Sequence, residues 1–111
     1  MKSLFKALAI ASAVVLPATS NAMLSWENKA VSMLSSTYDG ADCIYFTLTG
    51  VAEADPIKPG DPTFAIPRSQ FGSKDGYAML LMAKATGQTV RVITRGTLAC
   101  GYASVAQIMM A

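Results

Sequence analysis

The side chains that could perform acid–base or nucleophilic chemistry are few in this sequence. It contains no histidine, and this excludes Ser-His-Asp and Cys-His nucleophilic sites and most zinc sites. The acids are scattered through turns and a proline-rich loop, at Asp39, Asp42, Glu53, Asp55 and Asp61. Acids in such places usually serve turn geometry and solubility, and the ligand spacing of an EF-hand is missing. We therefore expect no enzyme, no metal site and no cofactor.

Aromatic and basic side chains at predicted outward positions indicate binding rather than catalysis. Stacking on an aromatic face combined with directional hydrogen bonds is a common way to bind a sugar. The candidate binding residues of this kind are Tyr38, Tyr45, Arg91 and Arg95. The alternative is that tyrosines lie on an outer face because of their β-propensity alone. The expected partner is a glycan or, failing that, a protein.

Two cysteines, Cys43 and Cys100, are the remaining reactive groups. They lack the CxxC spacing of redox-active pairs, so a disulfide is favoured over reactive thiols. An even pair in an exported chain is typical of one structural bond. Closing a loop of this length should stabilise the fold by roughly 3–5 kcal/mol in the chain-entropy model.

The N-terminus has the three parts of a secretory signal, namely a basic start, a short apolar centre and small residues before a cleavage point. The apolar centre spans residues 8–16, whereas a bilayer span needs roughly 20 residues. Ser20 and Ala22 occupy the −3 and −1 positions. We expect cleavage after Ala22, which would remove residues 1–22. The mature protein is then periplasmic or secreted and has no membrane span.

The mature chain, residues 23–111, is formally neutral, because Lys2 and Lys6 of the leader account for the whole net charge of +2. A neutral domain lacks the basic field that binds phosphate backbones, and no glycine-rich phosphate loop occurs. Nucleic acid is therefore not expected as a partner. The length suits one domain with a thin core.

Hydrophobic periodicity places the candidate residues on predicted strands. Residues 29–38 favour a strand, and Asp39-Gly40 after them predicts a tight hairpin turn. Residues 43–49 then alternate between apolar and polar, so Tyr45 is expected on the outer face.

A change of period near residue 75 predicts one helix. We expect Asp75 to cap a helix over residues 76–86, and Gly87 to end it. Its broad apolar face should plug one end of a sheet. Further strands are expected at residues 63–66, 90–95 and 100–109.

The predicted order is strand, strand, strand, helix, strand, strand, which is the chain order of the OB-fold. The sequence therefore predicts a mainly β protein, α+β by content, built as a five-stranded OB-fold-like barrel. An α+β sandwich made of the same elements stays open, because the order alone does not exclude it.

Two segments resemble a known family. Residues 45–50 (YFTLTG) resemble the second-strand segment of the subtilase cytotoxin B subunit, and residues 86–92 (TGQTVRV) resemble its helix-to-strand junction. The resemblance implies a bacterial OB-fold subunit that is exported, forms a homo-oligomeric ring of five and binds glycans on host cells.

The chain departs from that family where the sugar pocket is expected. The family's pocket uses a serine near the first strand and an aromatic residue in the strand after the helix. Here the first strand offers Ser32, Ser35 and Ser36, while residues 91–94 (RVIT) contain no aromatic. The resemblance thus implies the fold more strongly than the ligand. The alternative function is a periplasmic or secreted protein-interaction module, such as an accessory or inhibitor protein.

Overall fold

Six strands and one helix follow one another in the computed structural model, which describes residues 23–36 and 42–110. They are β1 (Ser25–Lys29), β2 (Val31–Ser35), β3 (Cys43–Leu48), β4 (Phe64–Pro67), α1 (Ser73–Thr86), β5 (Val90–Ala99) and β6 (Tyr102–Met110). The predicted leader and the predicted Asp39-Gly40 turn lie outside the described residues. No described helix has the length and hydropathy to cross a membrane.

The strands form one sheet in the order β1-β5-β6-β4-β3-β2. Only the β4–β6 pair is parallel among the described ladders. β1 and β2 lie at opposite ends of the sheet, although Ala30 alone separates them in the chain. One N-terminal segment therefore reaches both ends of the sheet, as the first strand of an OB-fold does. The predicted OB-fold-like architecture is confirmed, but β1 and β2 do not pair with each other to close the sheet.

The strand predicted over residues 29–38 corresponds to β2, whereas β1 was not predicted, and the sheet therefore has six strands instead of five. Asn28 has a φ of 53°, a left-handed conformation that interrupts an extended strand. The register also shifts between Trp26 and Lys29 and again between Val31 and Met33. These irregularities let the segment leave β5 and join β3.

The main core lies between the sheet and α1. Ile44, Phe46 and Leu48 of β3 face it, as their alternation predicts. The Phe46 and Phe64 rings are stacked with centroids 4.9 Å apart, and Leu80 of α1 belongs to the same cluster. Complete burial of side chains of this size contributes about 1.5–3 kcal/mol each.

The helix begins at Ser73, so the prediction that Asp75 caps it is wrong. Asp75 lies in the first turn, and the residue before the helix is Gly72, whose φ of 83° directs the chain into it. The predicted end is confirmed, because Gly87 has a φ of 76° and its N–H donates to the Ala83 carbonyl oxygen.

The apolar surface of α1 does not all face the sheet. Leu80 and Ala83 are buried, whereas Leu81 is 50% exposed and Met82 is 58% exposed. The predicted broad apolar plug is therefore wrong in part, because only a narrow face of the helix covers the core.

The predicted disulfide between Cys43 and Cys100 is confirmed. It joins the start of β3 to the turn between β5 and β6. Cys100 and Gly101 both have positive φ in that turn, which is the backbone of a type I′ hairpin. The two cysteines are 57 positions apart in the chain. In the chain-entropy model, closing a loop of that length stabilises the fold by roughly 4 kcal/mol.

A buried polar contact holds the N-terminal segment to the sheet. The Thr94 hydroxyl donates to the carboxylate of Asp55, which is 2% exposed. The Thr94 N–H also donates to the Leu24 carbonyl oxygen at 2.8 Å. Nearby, the Trp26 indole packs against the core, and its Nε1 donates to the Ala54 carbonyl oxygen at 2.8 Å. Asp55 therefore serves the fold.

Candidate ligand-binding groove

A groove of about 190 Å³ lies between the start of α1 and the last strand. The segment 68–72 is named here the pre-helix loop. Its residues 70–72 form one wall together with Asp75 and Met79 of α1. Gln107 and Ile108 of β6 line the opposite side. A space of this size does not enclose a drug-sized ligand, which needs about 300 Å³ or more. It suits the end of a larger molecule that lies against the surface.

The pre-helix loop is held by hydrogen bonds at both ends. The Arg68 N–H donates to the Asp42 carbonyl oxygen at 3.0 Å, and the Gln70 N–H donates to the Pro67 carbonyl oxygen at 2.9 Å. At the other end, the Ser73 hydroxyl donates back to the Arg68 carbonyl oxygen at 2.8 Å. The loop therefore presents its side chains on a fixed support, as a binding site requires.

Phe71, at the tip of the pre-helix loop, is fully exposed. A phenyl ring in this position buries none of its apolar surface within the chain, and such surface commonly marks a contact site. The ring borders the groove. It was not among the residues predicted from the sequence, because a phenylalanine in a loop carries no strand or helix periodicity.

Amide and carboxylate groups line the groove beside the ring, and a guanidinium contacts Val105, which is part of the groove wall. Gln70 Nε2 donates to the Val105 carbonyl oxygen at 3.1 Å, while Gln107 and Asp75 are exposed beside the groove. Arg95 Nε also donates to the Val105 carbonyl oxygen, at 3.3 Å. A guanidinium has five N–H donors in all. The arrangement can donate hydrogen bonds to a bound polar molecule and accept them from it.

The prediction that Tyr45 faces outward is wrong, because Tyr45 is only 5% exposed. It belongs to a second cluster with Cys43 and Ala65, on the face of β3 opposite the main core. The Tyr102 ring packs edge-on against it at 5.5 Å between centroids. Alternation gave Tyr45 the correct side of the strand, but the disulfide and Tyr102 cover that side.

The other predicted binding residues do not form one site. Tyr38 lies outside the described residues. Arg91 lies on β5, beside the neighbouring strand β1. Its Nε is 3.2 Å from a Glu27 carboxylate oxygen and donates to the Ser25 hydroxyl at 3.0 Å. Arg95 is the predicted residue that the described structure brings next to the groove. β3 and β5 are separated by β4 and β6, so Tyr45 is remote from both arginines.

The exposed side of α1 carries an apolar stripe of its own. Ala78, Leu81, Met82 and Ala85 recur at helical spacing and are all exposed.

In the described part of the chain, no group of three or more acids, cysteines or histidines could hold a metal ion.

No family model and no curated protein matches the sequence. Solved structures do share the fold, among them the two that follow. The cholera toxin-like B-subunit from Citrobacter freundii has a TM-score of 0.56 at 16% identity, over 80% of this chain and 85% of the other. The GM1-bound form of the ECX AB5 holotoxin has a TM-score of 0.58 at 16% identity, over 80% and 84%. The predicted resemblance to a toxin B subunit is thus confirmed at the level of the fold.

Proposed function

We propose that this chain is an exported, non-catalytic binding subunit that recognises an oligosaccharide through the groove at the start of α1. The observation that carries the proposal is the fully exposed Phe71 ring on a braced loop, beside the polar groups of Gln70 and Asp75. An aromatic face combined with directional donors and acceptors suits a sugar ring, which has both apolar C–H surfaces and hydroxyl groups.

In the proposed mode, one sugar unit stacks on Phe71 and its hydroxyl groups exchange hydrogen bonds with the polar side chains of the groove. Gln70 donates one amide N–H to the Val105 carbonyl oxygen. Its carboxamide oxygen then accepts a hydrogen bond from a hydroxyl group of the ligand. Such a shallow contact gives weak affinity for a single site. Several copies joined in one assembly raise the avidity without any new contact.

We further propose that the chain assembles as a homo-oligomer, with five copies as in the AB5 holotoxin that shares its fold. Two surfaces support self-association. The apolar stripe of α1 leaves Leu81 50% and Met82 58% exposed, and contiguous exposed apolar residues commonly mark an interaction surface. β2 ends the sheet, and its outer edge has no paired strand in the part of the chain described, so it can accept a strand from another copy.

The alternative function is a protein-interaction module. The apolar stripe of α1 supports this function if it binds a different protein instead of another copy of this chain. The two functions predict different behaviour of the isolated mature protein. An oligosaccharide-binding ring is an oligomer by itself, whereas an interaction module is a monomer that binds no sugar.

The test is an oligosaccharide binding screen with the mature protein, exported to a bacterial periplasm so that the leader is removed. The GM1 oligosaccharide is included because a fold relative is known in a GM1-bound form. We expect at least one oligosaccharide to bind and Phe71→Ala to weaken it about tenfold or more. Leu98→Ala is the matched control, since Leu98 is an exposed apolar residue on β5 that does not line the groove. Binding that Phe71→Ala leaves intact would exclude the groove as the site.

A further inference from the structure

The β5–β6 hairpin ends in residues 97–102, named here the hairpin tip, and an irregularity separates this tip from the rest of the sheet. The register of the two strands shifts between Thr94 and Leu98, and such a bulge bends a hairpin. Gly96, in the shifted stretch, has a φ of 77°. On the other strand, Ala103 is fixed by its pairing with β4. The hairpin tip can therefore turn about Gly96 while the rest of β6 keeps its place.

The hairpin tip covers the face of the sheet opposite the main core. Ala99 and Tyr102 pack against the buried cluster of Cys43, Tyr45 and Ala65. The Tyr102 ring meets the Tyr45 ring edge-on, with 5.5 Å between centroids, and Tyr45 is only 5% exposed. The tip thus shields an aromatic side chain that strand periodicity alone predicts to be exposed.

A covalent and a non-covalent attachment hold the hairpin tip against this face. The disulfide joins Cys100 of the tip to Cys43 of β3. From the loop between β3 and β4, Lys58 donates to the Gly101 carbonyl oxygen at 2.6 Å and lies 4.2 Å from the Tyr102 ring centroid. The Lys58 side chain is 38% exposed, and such contacts are weak in water. The disulfide is therefore the main restraint on the tip.

The backbone at Cys100 favours opening once the disulfide is broken. Cys100 has a φ of 51°, a left-handed conformation that a residue with a Cβ adopts only at a cost in free energy. The bond to β3 helps to keep Cys100 in this conformation. Cys100 is exposed whereas Cys43 is fully buried, so a reductant reaches the bond from the side of Cys100.

We propose that the hairpin tip is a redox-controlled lid, which the Cys43–Cys100 disulfide keeps closed over Tyr45 and which opens when the bond is reduced. A dithiol supplies the two electrons and two protons. Its first thiolate attacks the Cys100 sulfur and releases Cys43 as a thiol. Its second thiolate then displaces Cys100 from the mixed disulfide, and the reductant leaves as a disulfide. The inference does not depend on the oligosaccharide groove, whose β6 lining begins at Val105, beyond the lid.

Amide hydrogen exchange tests the lid on the mature exported protein, before and after treatment with dithiothreitol. The gain of two hydrogens in the intact mass shows that the bond is reduced. We expect the amides of residues 98–102 to exchange about tenfold faster or more after reduction, because they open locally. Residues 105–110 should stay protected, because this part of β6 keeps its pairing with β5. A tip that stays protected, or that loses protection only together with residues 105–110, overturns the lid.

Chemical access to Tyr45 gives a second readout that needs no reductant. In the paired substitution Cys43→Ala and Cys100→Ala, tetranitromethane should nitrate Tyr45, which the closed lid of the disulfide-bonded parent protects. Tyr77 is the internal reference, because it packs against the main core from α1, and its nitration should be the same in both proteins. Peptide mass spectrometry locates the modified rings.

The possible results leave the proposed function aside, because no oligosaccharide takes part in either experiment. Far-UV circular dichroism checks that the paired variant is folded, and hydrogen exchange in the reduced parent decides the question if it is not. A folded variant in which Tyr45 stays unmodified overturns the lid. Nitration of Tyr45 in the disulfide-bonded parent overturns it as well, since the closed lid would then not shield the ring.

Discussion

Gln70 and Arg95 donate hydrogen bonds to one acceptor, the carbonyl oxygen of Val105, at 3.1 Å and 3.3 Å. Gln70 belongs to the pre-helix loop, Arg95 to β5 and Val105 to β6, so one main-chain oxygen joins three parts of the fold. A carbonyl oxygen has two lone pairs and can accept both bonds. The contact fixes the loop that carries Phe71 against the sheet that carries Arg95.

Replacing Gln70 should therefore harm binding more than stability. We expect Gln70→Ala to lower the free energy of unfolding by about 1 kcal/mol, since one hydrogen bond to a neutral group is lost. Oligosaccharide affinity should fall about tenfold, because the loop is less firmly placed and a ligand contact is removed. Urea unfolding and binding titration measure the two effects.

Ser69→Ala is the control for Gln70→Ala, because Ser69 is exposed on the same loop and does not line the groove. It should leave both quantities near the parent values. Equal losses of affinity in the two variants would mean that Gln70 has no particular role in placing the loop.

The oligomeric state depends on the exposed side of α1. We expect native mass spectrometry of the mature protein to give a pentamer and Leu81→Glu to give a monomer, because a charge in an apolar contact loses its hydration without gaining a partner. Leu98→Glu is a closely matched control, since Leu81 is 50% exposed and Leu98 is 51% exposed. It should stay pentameric. A monomeric parent protein would contradict the proposed ring and favour the protein-interaction module.

Sequence periodicity was sufficient for the order of the elements from β2 onwards, because each of these strands and the helix carries its own local pattern, but it did not predict β1. It placed Ile44, Phe46 and Leu48 on the core side and ended the helix at Gly87. It could not show that the opposite side of β3 is also covered. Tyr45 is buried by Tyr102 and by the disulfide, and both Tyr102 and Cys100 lie more than fifty positions away from it in the chain.

The groove was beyond sequence reasoning for a related reason. Gln70 and Val105 are 35 positions apart, and only the parallel pairing of β4 with β6 brings them together. Phe71 stands in a loop, where neither strand nor helix periodicity marks it. The positive φ of Asn28, which lies near the end of β1, was also not predicted, because asparagine adopts that conformation too rarely for its identity alone to predict it.

The disulfide should contribute a large part of the stability. We expect reduction, or the paired substitution Cys43→Ala and Cys100→Ala, to lower the free energy of unfolding by roughly 4 kcal/mol. Domains of this size are stable by only about 5–15 kcal/mol in total, so the urea concentration at the unfolding midpoint should fall clearly.

The intact mass of the exported protein checks the disulfide and the removal of the leader together. It should correspond to residues 23–111 less two hydrogens. Equal midpoints with and without reductant would contradict the expected contribution.

The contact between Thr94 and Asp55 should be the most sensitive polar interaction in the described structure. Thr94→Val keeps the shape of the side chain but removes the hydroxyl that donates to the buried carboxylate. We expect a loss of about 1.5–3 kcal/mol, the range for hydrogen bonds to charged groups. Thr97→Val on the same strand is the control, because Thr97 is exposed and such substitutions change stability by about 0.5 kcal/mol or less. Since the Thr94 hydroxyl also accepts a hydrogen bond from the Leu24 N–H at 3.3 Å, amide hydrogen exchange at Leu24 and in β1 should rise in Thr94→Val. Unchanged protection of β1 would mean that the N-terminal segment is held by Trp26 and its strand pairing instead.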